Sequence, residues 1–139
     1  MKKLPLIVIG LLMFLFMGFF AVLIAGTAWG KHLFPERHYQ DIWCANRGGQ
    51  VEVRQVDGTR VDCLTDTHAI EFDFGSKWAE SAGQALYYSA MTGKKAGIVL
   101  IMEDPEKDQK YLDRLKKLIE YHGLDITVWV MRPNKGGDK

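Results

Sequence analysis

No charged residue occurs between Leu4 and Gly30. Most of that stretch, Leu4-Pro-Leu-Ile-Val-Ile-Gly-Leu-Leu-Met-Phe-Leu-Phe-Met-Gly-Phe-Phe-Ala-Val-Leu-Ile-Ala25, is apolar. A helix of about 20 such residues spans the hydrocarbon core of a bilayer. Residues 1–30 are therefore expected to form a transmembrane signal anchor, with Lys2 and Lys3 as its positive flank. A cleavable export signal has an apolar region of roughly 7–15 residues, shorter than this one. Cleavage near Gly26-Thr27-Ala28 is the alternative, and it would release the rest. Lys2 and Lys3 before the span are balanced by Lys31, Arg37 and Arg47 after it, so loop charge does not set the orientation. The signal-like layout places the C-terminal domain outside the cytoplasm.

What remains of the 139 residues suffices for one domain. Lys31 to Pro35 reads as a juxtamembrane linker and residues 36–132 as the folded unit. Pro133 to Lys139 reads as a disordered tail. Glu36 to Asn46 can form a short helix with Tyr39, Ile42 and Trp43 on one side. Gln50-Val-Glu-Val-Arg-Gln-Val56 alternates as a strand, and Asp57-Gly58 is a hairpin turn signal. Arg60–Thr65 and His68–Phe74 give two further strands. Ser76 is expected to cap a helix that ends at Gly93. Ala96-Gly-Ile-Val-Leu-Ile-Met102 is a continuous apolar run, as in a strand covered on both faces. Asp104-Pro105 opens a helix that Gly123 closes, and Ile126–Met131 is the last strand. The order αβββαβαβ predicts an α/β domain with a mixed sheet flanked by helices.

Composition narrows the chemistry. Removing Lys2 and Lys3 from the 18 basic residues leaves 16, against 17 acidic residues, all of which follow the apolar stretch. A domain of net charge −1 does not grip nucleic acid by overall charge, so any such contact needs a local patch. The two cysteines, Cys44 and Cys63, form an even pair that fits a disulfide in an oxidising compartment. Two small buried hydrophobes are the other reading. No CxxC spacing is present, which argues against zinc.

The acids are where the pattern carries chemistry. Alternation along His68–Phe74 puts Ile70, Phe72 and Phe74 on one face and Ala69, Glu71 and Asp73 on the other. In the preceding strand Asp62 is expected opposite the Val61 and Cys63 face. If the strands are neighbours, Asp62, Glu71 and Asp73 converge, and such carboxylates repel one another unless a proton or cation intervenes. A hard divalent ion, Mg²⁺ or Mn²⁺, suits oxygen ligands. The next helix adds a polar stripe of Lys77, Glu80 or Ser81, Gln84, and Tyr87 or Tyr88. Lys77 can reach the acids, while Gln84, Tyr87 and Tyr88 can steer a substrate backbone. His68 reads as a structural histidine.

Asp62, Glu71 on the following strand, and the helical Gln84-Ala-Leu-Tyr87 element resemble the PD-(D/E)xK, or restriction-endonuclease-like, nuclease superfamily. The similarity runs over residues 36–131 in the αβββαβ order. More closely, the chain resembles small bacterial proteins with a signal-like N-terminus and this fold, which implies the inner membrane, with the domain on the periplasmic side. The resemblance implies hydrolysis of nucleic-acid phosphodiesters, with Asp62 and Glu71 holding Mg²⁺ or Mn²⁺ and a lysine orienting the attacking water. That lysine stands two residues after the glutamate in the family. Asp73 occupies the position here, and Lys77 is expected to serve from the helix. The alternative is a module that keeps the fold without catalysis and binds a protein or nucleic acid at the membrane.

Overall fold

A computed structural model describes residues 32–133. The expected anchor and the residues after Pro133 lie outside that range. Among the described residues no helix is long and apolar enough to cross a membrane.

The elements follow the expected order. They are α1 (Glu36–Ala45), β1 (Gln50–Arg54), β2 (Arg60–Leu64), β3 (His68–Phe74), α2 (Trp78–Thr92), β4 (Lys95–Ile101), α3 (Pro105–His122) and β5 (Ile126–Met131). The five strands form one mixed sheet in the order β1-β2-β3-β4-β5. The first three make an antiparallel meander, and β4 and β5 run parallel to β3. The two parallel connections step across the sheet in one direction. A common hand of crossover therefore puts α2 and α3 on the same face.

Burial follows from that arrangement. Ala82 and Ala85 of α2 and Leu112 and Leu115 of α3 pack on Ala96, Ile98 and Leu100 of β4. On the opposite face Tyr39, Trp43 and Cys44 of α1 pack on Cys63, Ile70, Phe72 and Val99. Every residue of β4 after Lys95 is buried, which accounts for its unbroken apolar run. Gly97 lies at the middle of that strand because a Cβ there would come within 2.8 Å of Trp129 and 2.9 Å of Ile70.

A disulfide joins Cys44 of α1 to Cys63 of β2, with Cα atoms 5.9 Å apart. It fastens the first helix to the meander half of the sheet. Gly49 passes directly over it: a Cβ at that position would lie 2.5 Å from one sulfur and 2.8 Å from the other.

Three local expectations need correction. The first strand stops at Arg54, where the hairpin turn begins: the Gln55 N–H donates to the Thr59 carbonyl at 2.8 Å and the Gln55 carbonyl accepts from Gly58 at 3.0 Å. Ser76 does not cap α2. Residues Gly75–Lys77 form a 3₁₀ turn, Lys77 occupies the cap position, and no side chain bonds the helix start. The third concerns the linker. His32 Nδ1 and the Leu33 N–H both lie 2.9 Å from the Glu103 carboxylate, and His32 stacks on Phe74 with ring centres 3.4 Å apart. Residues 32 and 33 are thus clipped to the folded unit.

Candidate functional site

Alternation along β3 sorts its side chains as expected. Ile70 and Phe72 enter the α1 face, while Glu71 and Asp73 turn toward α2 and are buried. Both acids line a cavity of about 270 Å³ bordered by β2, β3, α2 and the first turn of α1. Asp62 joins them, but by a different route from simple alternation. The β2–β3 ladder pairs only Cys63 with Ile70 and Leu64 with Ala69. Beyond that point the Phe72 N–H donates to the Asp62 carboxylate at 2.8 Å, a bond that a β2 carbonyl supplies in a regular ladder. Val61 packs with Ala69 and Tyr88, on the α2 side, and so does not share a face with Cys63. On the other side of β2, Glu52 has φ 56°. A side chain in that region carries strain on the order of 1–3 kcal/mol. Both strands of the hairpin are therefore distorted at the level of Asp62.

α2 and its cap residue contribute a stripe at helical spacing. Lys77, Glu80, Gln84 and Tyr88 line the cavity. Ser81 instead donates to the Trp78 carbonyl at 2.9 Å and is fully buried. The two tyrosines part company. Tyr88 is buried against the cavity, whereas Tyr87 points to the hairpin and donates to Asp57. Tyr87 is therefore not among the cavity residues. His68 bonds Thr67 and Thr127 at 2.8 and 3.2 Å on the α1 side, in keeping with a structural role.

Two lining residues escape the sequence pattern. Glu36, in the first turn of α1, faces the same cavity, and so does Arg60 of β2. An acid in a first helical turn is the ordinary choice for the helix dipole, so Glu36 carries no separate signal. Arg60 also pairs with Glu52 at 2.9 Å.

The electrostatics follow from crowding acids out of water. Burial is the main cause throughout. It raises Glu36 to about 7, with Asp62 and Asp73 adding to the effect. It raises Asp62 to about 6, against the opposing Phe72 N–H. Asp73 rises to about 7, opposed by Lys77. Glu71 is driven well above the carboxylate range by burial, then by the charges of Asp62, Asp73 and Glu36, and its carboxyl group is a hydrogen-bonding neighbour of Asp62. Lys77 Nζ lies 3.5 Å from Asp73 Oδ1, and that partner holds the ammonium charged above its ordinary range.

Glu71 Oε2 is buried and accepts no hydrogen bond, and Asp73 Oδ1 has the Lys77 ammonium at 3.5 Å as its partner. Oxygen-only donors with unfilled lone pairs fit a hard divalent cation. Among the described residues, no group of three or more His, Cys, Asp and Glu is arranged to hold a metal ion. Mg²⁺ commonly takes one or two carboxylates and completes its shell with water and substrate phosphate. Asp62 and Glu71 suit that mode.

No protein-family model, no curated protein and no solved structure matches this chain.

Proposed function

We propose that this domain is a metal-dependent nuclease of the restriction-endonuclease-like kind, tethered to a bacterial inner membrane by residues 1–30 and facing the periplasm. The observation that carries the reading is the buried Glu71 Oε2, which accepts no hydrogen bond, in one cavity with Asp62, Asp73 and a lysine. Five carboxylates and two cations line that cavity: Glu36, Asp62, Glu71, Asp73 and Glu80 against Lys77 and Arg60. A phosphodiester is repelled by such a site until positive charge enters. The αβββαβ order and the 1-2-3-4-5 sheet support the same reading. The disulfide suits the export side of a membrane.

Asp62 and Glu71 would hold Mg²⁺ or Mn²⁺, which supplies a Lewis acid for the phosphoryl oxygens and activation of water. Glu71 must give up its proton for this, and the nearby ammonium and cation favour that loss. Asp73 holds Lys77 at the cavity, where the ammonium can orient the nucleophile and offset charge developing on phosphorus. Gln84 offers an amide to the substrate backbone, and Arg60 a guanidinium to a phosphate oxygen.

A second reading rests on the Lys77–Asp73 pair and the Asp62–Glu71 contact. Together they neutralise part of the cluster internally, as suits a non-catalytic binding module that meets a protein or nucleic acid at the membrane. Incubating the purified full-length chain with labelled single- and double-stranded DNA and RNA separates the two readings. Cleavage that needs Mg²⁺ or Mn²⁺ and disappears in Glu71→Gln supports the nuclease. No cleavage of any substrate, with no metal-dependent stabilisation, supports the binding module.

A further inference from the structure

α3 carries three of its cations in one line. Lys110, Arg114, Lys117 and Tyr121 are spaced by four, three and four, so they share one face of the helix, turned away from the buried Leu112 and Leu115. Among the described residues none of these three cations is in an ion pair. Asp113, the acid next to Arg114, takes the Gln109 amide at 2.8 Å instead. A row of cations facing water needs no ligand. This row borders a groove of about 390 Å³ between the start of α2 and the second half of α3. Trp78, Leu118 and Tyr121 form its walls, and Arg114 and Lys117 line it with them. Trp78 is half-buried, and Tyr121 is 81% exposed.

Charge and walls together select the occupant. Unpaired cations call for an anion, and aromatic faces call for flat rings. Single-stranded nucleic acid supplies both, because its bases stack on aromatic side chains while its backbone follows a positive groove. A duplex hides its base faces, and an anionic headgroup or a run of acidic residues supplies charge alone. The groove is also the local patch that a domain of balanced charge needs in order to hold a polyanion. Its position fits. Trp78 directly follows Lys77, which lines the acid cavity, so cavity and groove meet at the start of α2. The turn before α2 packs on α3 there: a Cβ at Gly75 would lie 3.2 Å from Tyr111. Lys110 and Arg114 lie over that same Tyr111 ring, 4.9 and 5.7 Å from its centre.

We propose that the groove between α2 and α3 binds single-stranded nucleic acid and leads it to the acid cavity. Bases stack on Tyr121 and against Trp78, and phosphates meet Lys110, Arg114 and Lys117. The inference rests on the nucleic-acid part of the function proposed above, and adds the form of nucleic acid and the surface that holds it.

The test follows the anisotropy of a fluorescein-labelled oligothymidylate with the full-length chain in detergent, in EDTA so that no metal-dependent cleavage intervenes. The single strand is expected to bind about tenfold more tightly, or better, than a duplex of the same length. R114A/K117A is expected to weaken binding by about tenfold or more. It is also expected to reduce the slope of log affinity against log salt by about 1.4, since each phosphate contact to a single strand contributes about 0.7. Tyr121→Ala is expected to weaken binding by about fivefold or more, and Tyr121→Phe, which keeps the ring, to bind as wild type does. The altered side chains are all exposed, and unchanged melting temperatures check that the fold is intact. Wild-type affinity in R114A/K117A would overturn the proposal. So would equal binding of the duplex, or displacement of the strand by polyglutamate or by phosphatidylglycerol in the micelle at equal charge. The cleavage assay described above separates the two readings. Metal-dependent cleavage without groove-dependent binding sinks the groove alone. Groove-dependent binding without cleavage sinks the nuclease and leaves the groove standing.

Discussion

The Asp62 carboxylate accepts the Phe72 N–H at 2.8 Å, in the gap where the β2–β3 ladder stops. A side chain thus takes the place of a backbone carbonyl at the centre of a sheet. The same bond fixes Asp62 beside Glu71, which precedes Phe72. Stability and site geometry therefore depend on one carboxylate in different ways. Asp62→Asn keeps an acceptor for Phe72 but removes a charge from the cluster. It is expected to leave the metal-free melting temperature at pH 8 unchanged or raise it by a few degrees, and to abolish cleavage. Asp62→Leu orphans the Phe72 N–H and is expected to cost about 1–3 kcal/mol in chemical unfolding. Equal stability of the two variants would show that the hydrogen bond contributes nothing.

The acid cluster also sets a pH dependence. Glu36 rises from 4.5 to about 7, and Asp62 and Asp73 rise from 3.8 to about 6 and about 7. In that window the folded state holds more protons than the unfolded chain, so stability falls as pH rises. For these three groups the stabilising contribution is fully present below about pH 4 and is lost as pH rises through about 6 to 7, and Glu71, held higher still, extends the fall to higher pH. In EDTA the melting temperature is expected to drop over this range. The drop is expected to be shallower in Asp62→Asn and in Glu36→Gln, as followed by circular dichroism. An identical slope in wild type and both variants would place the titration elsewhere.

Metal binding must displace those protons, so its effect has the opposite slope. Mg²⁺ or Mn²⁺ is expected to raise the melting temperature more at pH 7.5 than at pH 5.5, by mass action on the folded state. Glu71→Gln is expected to eliminate the shift at both. A shift that survives in Glu71→Gln would mean that the ion sits outside the cavity.

Lys77 is a test of position. Lys77→Ala is expected to leave the metal-dependent melting shift nearly intact and to lower the cleavage rate by about a hundredfold or more, as loss of one electrostatic stabiliser does. Asp73→Lys in that background puts a lysine two residues after Glu71. Recovery of rate there would show that the ammonium acts through its location in the cavity. Unchanged activity in Lys77→Ala would remove Lys77 from the chemistry.

Gly49 reports on the disulfide. Its missing Cβ leaves the space that Cys44 and Cys63 sulfurs occupy. Gly49→Ala is expected to destabilise the oxidised protein by about 1–3 kcal/mol, the usual penalty of overpacking. Equal denaturation midpoints for Gly49→Ala and wild type, both oxidised, would refute the close approach.

Local pattern by itself determined the elements and much of the fold class. Alternation placed Glu71 and Asp73 opposite Ile70 and Phe72, the apolar run of β4 announced a strand covered on both sides, and Asp104-Pro105 and Gly123 bounded α3, because each of these signals is carried by neighbours in sequence. Part of the cavity was legible in the same way, through Lys77, Gln84 and Tyr88. Which side chains complete it was decided only by tertiary packing. Adjacent residues on a helix differ by about 100° in direction. The azimuth at which α2 settles on the sheet therefore chose Tyr88 for the cavity and sent Tyr87 to Asp57. Glu36 enters because α1 packs across the sheet from a distant point in the chain. Asp62 reaches Glu71 because the ladder between β2 and β3 breaks. Neither event leaves a periodic mark, since both depend on contacts between residues that are far apart in sequence.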